Sequence, residues 1–180
     1  MDTDLVIQAQ RGDKVAYAQI ATAIADRFLA VARRILRDHG LAEDATQQAL
    51  LAVWQDLPQL RDPARFDAWS YRLLVPACHA EGARERRWAT NIRLLPQLDG
   101  TADDAGSVID RDQLERGFQR LSLDHRSIVV LHHFLDLPLD QVAEICAIPV
   151  GTAHSRLHHA MRALRAALEA DLRAAAREIS

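Results

Sequence analysis

An all-helical fold is what this chain of 180 residues predicts. Apolar residues recur at three-to-four spacing through each long segment, the repeat that draws one stripe along a helix. Strand alternation is absent. The 7 glycines are sparse, and the 6 prolines sit mostly at seams between periodic runs. The runs group into two small helical domains, 1–90 and 114–180, joined by an acidic flexible linker over 91–113.

Asp4 to Gln10 reads as a short helix broken at Gly12. Asp13 can cap the next helix by accepting a backbone N–H. That helix runs to about Arg37, with Ile20, Ile24, Phe28, Val31 and Ile35 on one face. It is expected to stop at Asp38-His39-Gly40, with glycine as terminator. A third helix runs from Ala42 to Asp56, turns Ala45, Ala49, Leu50, Val53 and Leu57 inward, and ends at Pro58.

Asp62-Pro63 is a second cap, with proline at the first helical position. The fourth helix faces Phe66, Trp69, Leu73 and Leu74 inward. Pro76 should kink or break it, because an interior proline costs about 3 kcal/mol. The helix then resumes from Ala77 to Trp88. Residues 91–113 are small, polar and acidic around Asp99-Gly-Thr-Ala-Asp-Asp-Ala-Gly106, with too little apolar surface to fold alone. A helix is expected from about Ile109 to Arg120. Ser122 can cap the next, Leu123 to Phe134, and Leu137-Pro138 leads into the last pair.

Composition excludes several classes. The net charge is −3, so there is no global attraction to nucleic acid and any such binding must be local. Arginine outnumbers lysine 21 to 1, which suits phosphate and guanine contacts. The 2 cysteines, Cys78 and Cys146, form no disulfide framework and fit a reducing cytoplasm. No stretch reads as the ~20 apolar residues of a membrane span, so no membrane insertion is expected. Met1-Asp-Thr-Asp lacks the basic start of a signal peptide. No serine, histidine or cysteine has a positioned base beside it, and no glycine loop could cradle a phosphate. The chain is expected not to be an enzyme and to need no cofactor.

The stretch from Ala143 to Arg165 carries the most information. A short helix, Asp140 to Cys146, meets a sharp turn at Ala147-Ile148-Pro149. A long helix begins near Val150, with Ala153, Leu157, Ala160, Met161, Leu164, Leu168 and Leu172 as its apolar stripe. At about 100° per residue, the opposite face carries Thr152, Ser155, His159 and Arg162, flanked by Arg156 and His158. No acid occurs between Pro149 and Leu168. Hydroxyls, imidazoles and arginines on the second helix of a tight pair are the pattern of a DNA-binding helix-turn-helix. A helical hairpin with a solvated polar face would read the same way.

Ile148-Pro-Val-Gly-Thr-Ala-His-Ser-Arg-Leu-His-His-Ala-Met-Arg-Ala-Leu164 resembles the last DNA-reading helix of bacterial RNA polymerase sigma factors of the extracytoplasmic-function (ECF) type, in the sigma-70 family. Leu121-Ser-Leu-Asp-His-Arg-Ser-Ile-Val-Val-Leu131 is similar to the helix that opens the same domain, region 4. Arg33 to Trp54 resembles the polymerase-binding part of region 2, and Phe66-Asp-Ala-Trp-Ser-Tyr-Arg-Leu-Leu74 its promoter-melting part. The matches span nearly the whole chain in the family's order.

The resemblance implies three contact sets. Residues 1–90 would bind core RNA polymerase through Asp44, Gln47 and Gln48 on the third helix. They would also hold the −10 promoter element through Arg84, Arg86, Arg87 and Trp88. Residues 114–180 would read the −35 element through Thr152, His154, Ser155, Arg156, His158, His159 and Arg162. From the residues alone, the third-helix set is also a solvated face, and the arginine cluster also complements a helix dipole. The family usually has an acid where Gln48 stands. It commonly has Lys or Arg at the His154 and His159 positions, so modest affinity for the −35 element is expected. Pro76 and Glu81 stand near positions where the family often has Asn or Arg, and Asp. His154 and His158 lie one turn apart, a possible metal spacing, but no third ligand is apparent and no metal is expected. Asp103 and Asp104 in the linker could mimic RNA phosphates.

The function expected is that of an alternative sigma factor, cytoplasmic, with core polymerase, promoter DNA and an anti-sigma factor as partners. Two other readings remain open: a stand-alone helix-turn-helix regulator, and an interaction adaptor with weakened DNA contacts.

Overall fold

The computed structural model describes residues 1–92, 117, 118 and 120–178. The expected linker beyond Ile92, Asp103 and Asp104, and most of the helix expected over 109–120 lie outside the described residues. The helices are α1 (Thr3–Gln10), α2 (Lys14–Leu36), α3 (His39–Asp56), α4 (Phe66–Ile92), α5 (Leu123–Val129), α6 (Leu139–Ile145) and α7 (Val150–Glu178). Among the described residues there is no strand.

Local chemistry sets the helix starts. Asp13 accepts from the backbone N–H of Val15 and Ala16, Asp62 from Ala64, and Ser122 from His125. Each satisfies donors that the first helical turn leaves orphaned. Gly12 turns the chain between α1 and α2 at φ 93°, a conformation that favours glycine. The stop of α2 differs from expectation. Arg37 takes the left-handed C-cap position at φ 63°, and Asp38 accepts from the Leu41 N–H to start α3. Gly40 therefore lies inside the first turn of α3, because the capping aspartate two residues earlier captures it.

Pro76 does not break the fourth helix, contrary to expectation: α4 is continuous from Phe66 to Ile92. Pro76 is exposed. The carbonyl one turn earlier, which loses its N–H partner, belongs to exposed Arg72 and can be solvated, so the cost stays local.

Ile20, Ile24, Phe28, Val31 and Ile35 of α2 are all fully buried. Each such side chain contributes roughly 1.5–3 kcal/mol on leaving water. α2 is also long and apolar enough, by length and composition, to cross a membrane. That departs from the expected absence of such a stretch, and its apolar face is occupied by the core. Ala42, Ala45 and Ala49 of α3 are small and buried, which lets α3 approach α2 and α4 closely. Gln10 of α1 donates to the carbonyls of Leu57 and Leu60 at 3.1 and 2.7 Å, pinning the α3–α4 connection.

In the carboxy-terminal half, α5 continues through a π turn over Val130–Phe134 instead of reaching Phe134 as one α-helix. Ala147 at φ 52° makes the sharp corner between α6 and α7. Ala153, Ala160 and Leu164 of α7 are buried, but Met161, expected on that stripe, is exposed.

The two halves share one core. Leu123, Ile128, Leu131, Val142, Ala143 and Ile145 join the same buried cluster as the α2 and α4 residues. A Cβ at Gly82 of α4 would lie 3.2 Å from the Leu123 side chain, so α4 meets α5 closely there. At the edge, the Arg34 guanidinium stacks 3.7 Å from the Phe134 ring centre.

Candidate nucleic-acid interface

α7 presents His154, Ser155, His158, His159 and Arg162 on its exposed face, while Ala153 and Ala160 hold the helix to the core. Thr152 is half-buried in the first turn. Arg156 points elsewhere: its Nη2 lies 2.9 Å from Asp124 Oδ2 on α5. The exposed face is a row of donors with no acid, suited to phosphates and base edges.

The end of α4 exposes Arg84, Arg86, Arg87 and Trp88, with Trp88 64% exposed. Arg84 is tied inward, 3.3 Å from Asp44 and 3.2 Å from Glu81. On α3, Gln47 and Gln48 are exposed and Asp44 is half-buried. Gln48 donates to Glu81 across the α3–α4 seam. The structure thus brings Asp44 and Gln48 of the third-helix set into one network with Glu81 and Arg84, which the sequence did not suggest.

Residues that sequence reasoning missed flank these sets. Leu51, 61% exposed, and Trp54 lie one and two turns beyond Gln47 on the same side of α3. Trp54 packs edge-on to Tyr17 with ring centres 4.5 Å apart. Among the described residues, clefts open along the seam between the halves. One, about 620 Å³, is lined by Arg65, Trp69, Arg72 and Glu144. Another, about 430 Å³, is lined by His79, Asp124, Cys146 and Arg156. His79 Nδ1 is 3.5 Å from Asp124, and its Nε2 is 3.1 Å from the Ser127 hydroxyl. Burial lowers the His79 pKa; Asp124 opposes this, and Arg156 and Arg86 add to it. Burial also pushes the Cys146 thiol up to about 11 and Cys78 to about 12, so neither is a ready thiolate. Among the described residues no three potential metal ligands cluster.

Residues 20–88 match the family model for sigma-70 region 2, and residues 111–164 match that for sigma-70 region 4. The chain belongs to the sigma-70 family. Curated relatives place this sigma factor in the ECF type. It is 29% identical over 194 residues to the RNA polymerase sigma-H factor of Pseudomonas aeruginosa, covering 97% of each chain. It is 29% identical to the ECF sigma factor SigL of Mycobacterium tuberculosis, over 88% of this chain and 94% of that one. To SigW of Bacillus subtilis it is 26% identical, over 88% of this chain and 91% of the relative. Its fold is that of RpoE from Bartonella quintana, solved with the anti-sigma factor NepR: TM-score 0.69, 22% identity, 86% of this chain and 98% of that one. It also matches CnrH, solved with the cytosolic domain of CnrY, at TM-score 0.68 and 21% identity over 94% and 98% of the two chains.

Proposed function

We propose that this ECF sigma factor binds core RNA polymerase and directs initiation at a two-element promoter. The observation that carries this is the presence of both sigma units, in family order, each exposing its own polar face. α3 is the polymerase face, through Asp44, Gln47 and Gln48, extended by the apolar Leu51 and Trp54. Arg84, Arg86, Arg87 and Trp88 of α4 hold the −10 strand, the arginines on phosphate and Trp88 stacked on a base. His154, Ser155, His158, His159 and Arg162 enter the −35 major groove, with Thr152 and Arg156 at the margin. Residues 1–90 and 114–180 act as the two modules and 91–113 as the connector, whose tethering strengthens two weak contacts. An anti-sigma factor covering the α3 and α7 faces would silence it, and the protein would work in the cytoplasm with the polymerase.

The protein supplies contacts and no chemistry of its own. Ser127, His79 and Asp124 do fall in a row, but Ser127 is buried and donates its hydroxyl to the Leu123 carbonyl at 2.9 Å. It is not a nucleophile aimed at a substrate.

Run-off transcription tests the proposal, using purified core polymerase and a template carrying the protein's own upstream region. A transcript that depends on the protein is expected. Absence of both transcript and polymerase binding would leave the stand-alone regulator as the better reading.

A further inference from the structure

Glu81 is, among the described residues, the one charged side chain that is fully buried, 2% exposed on the inner side of α4. A carboxylate taken from water is costly unless paired and hydrogen-bonded. Gln48, from α3, donates its amide to Oε1. Arg84, one turn further along α4, donates Nη1 to Oε1 at 3.4 Å. Its Nε lies 3.2 Å from Oε2, an ion pair without a hydrogen bond. Arg84 Nη2 goes to Asp44 Oδ2 at 3.3 Å. The four side chains form one run of contacts between two helices, Gln48 to Glu81 to Arg84 to Asp44, with Asp44 and Gln48 one turn apart on α3 and Glu81 and Arg84 one turn apart on α4.

We propose that Glu81 is a positioning residue that couples polymerase docking to promoter-strand binding. It holds the inner edge of the Arg84 guanidinium while Asp44 covers the outer nitrogen. The inference rests on the reading of α3 as the polymerase face and the end of α4 as the DNA face. Its physical basis is the planar fork of arginine, whose donors point in fixed directions. Nε and Nη1 stay on the buried carboxylate. Nη2 is held by a half-exposed aspartate that polymerase can take away. When it does, Nη2 faces outward already oriented, and donates to a phosphate oxygen with little further loss of side-chain freedom. Free protein therefore has this donor masked, and polymerase-bound protein has it presented.

The test uses the full chain, alone and in complex with core polymerase. The probe is a fluorescent single-stranded oligonucleotide carrying the non-template strand of the protein's own upstream region. For the free chain, Asp44→Ala is expected to raise affinity roughly threefold to tenfold and to steepen the dependence on salt by about one counterion. Arg84→Ala should remove that gain. In the polymerase complex, Glu81→Gln and Arg84→Ala should each weaken binding about tenfold, and the double variant should be no weaker than either. Glu81→Asp should restore part of the loss. Losses that add would overturn the coupling, as would an unchanged salt slope in free Asp44→Ala. If Glu81→Gln does not fold, the Asp44 and Arg84 cycle, made on exposed or half-exposed residues, decides alone. Wild-type complex that forms and transcribes while the losses add refutes this inference only. Wild-type chain that fails to bind core polymerase refutes the underlying reading and this inference with it.

Discussion

Glu144, on the first helix of the helix-turn-helix, reaches Arg65 at the entry to α4 with an N–O distance of 2.6 Å. Arg72, two turns further along, stands 3.4 Å from the other carboxylate oxygen. One acid of region 4 thus clamps two arginines of region 2 across the larger cleft. Exposed pairs like these are worth about 1 kcal/mol or less, so Glu144→Gln should barely move the melting temperature. It should shift opening of the cleft roughly fivefold. Cys146 lines the neighbouring cleft, and its reaction rate with a thiol reagent reports that opening. An unchanged rate in Glu144→Gln would show that the apolar seam alone keeps the halves together.

Acid should loosen the same seam through His79. An ordinary histidine titrates near 6.5, and burial holds His79 below that despite Asp124, with Arg156 and Arg86 acting in the same direction as burial. The separated chain therefore takes up a proton that the packed chain resists. This contribution is full above about pH 6.5 and is lost as pH falls through the lower folded value. His79→Gln should flatten the fall of melting temperature between pH 7 and 5. The comparison with wild type isolates this histidine from the other seven. Parallel curves would remove His79 from the account.

The histidines on α7 set a second expectation. His154 and His159 are exposed on the proposed DNA face of α7, and histidine carries less charge than arginine at neutral pH. Replacing both with arginine should tighten binding to a duplex −35 fragment roughly tenfold at low salt and steepen the salt dependence by about two counterions. Binding by the wild-type chain that is already tight and insensitive to salt would contradict this.

Leu51 and Phe28 make a contrast on adjacent helices. Phe28 is fully buried in α2, and Phe28→Ala should cost about 3–5 kcal/mol in denaturant unfolding. Leu51 is 61% exposed, so Leu51→Glu should leave folding within about 0.5 kcal/mol. If α3 is the polymerase face, the same change should weaken core polymerase binding at least tenfold, as expected when a buried apolar anchor is lost. Polymerase binding that tolerates Leu51→Glu would confine the contact to the polar residues.

Local chemistry was legible in the chain itself. The stripe Ile20, Ile24, Phe28, Val31 and Ile35, the caps Asp13, Asp62 and Ser122, and the corner before Val150 all follow from spacing and side-chain type, and the structure shows each of them. Where several local signals competed, sequence was a weaker guide. Gly40 was expected to end α2, but Asp38 caps α3 and Gly40 falls inside its first turn. Pro76 broke nothing, because whether a lost hydrogen bond matters depends on which side of the helix meets water. What only the tertiary structure decided are the pairings between distant residues. Glu144 on Arg65 and Arg72, Arg156 on Asp124, Glu81 under Gln48 and Arg84, and the single core joining both halves each require two surfaces to meet. Periodicity says which face of a helix is apolar. It carries no information about which other face will cover it, and these contacts depend on that choice.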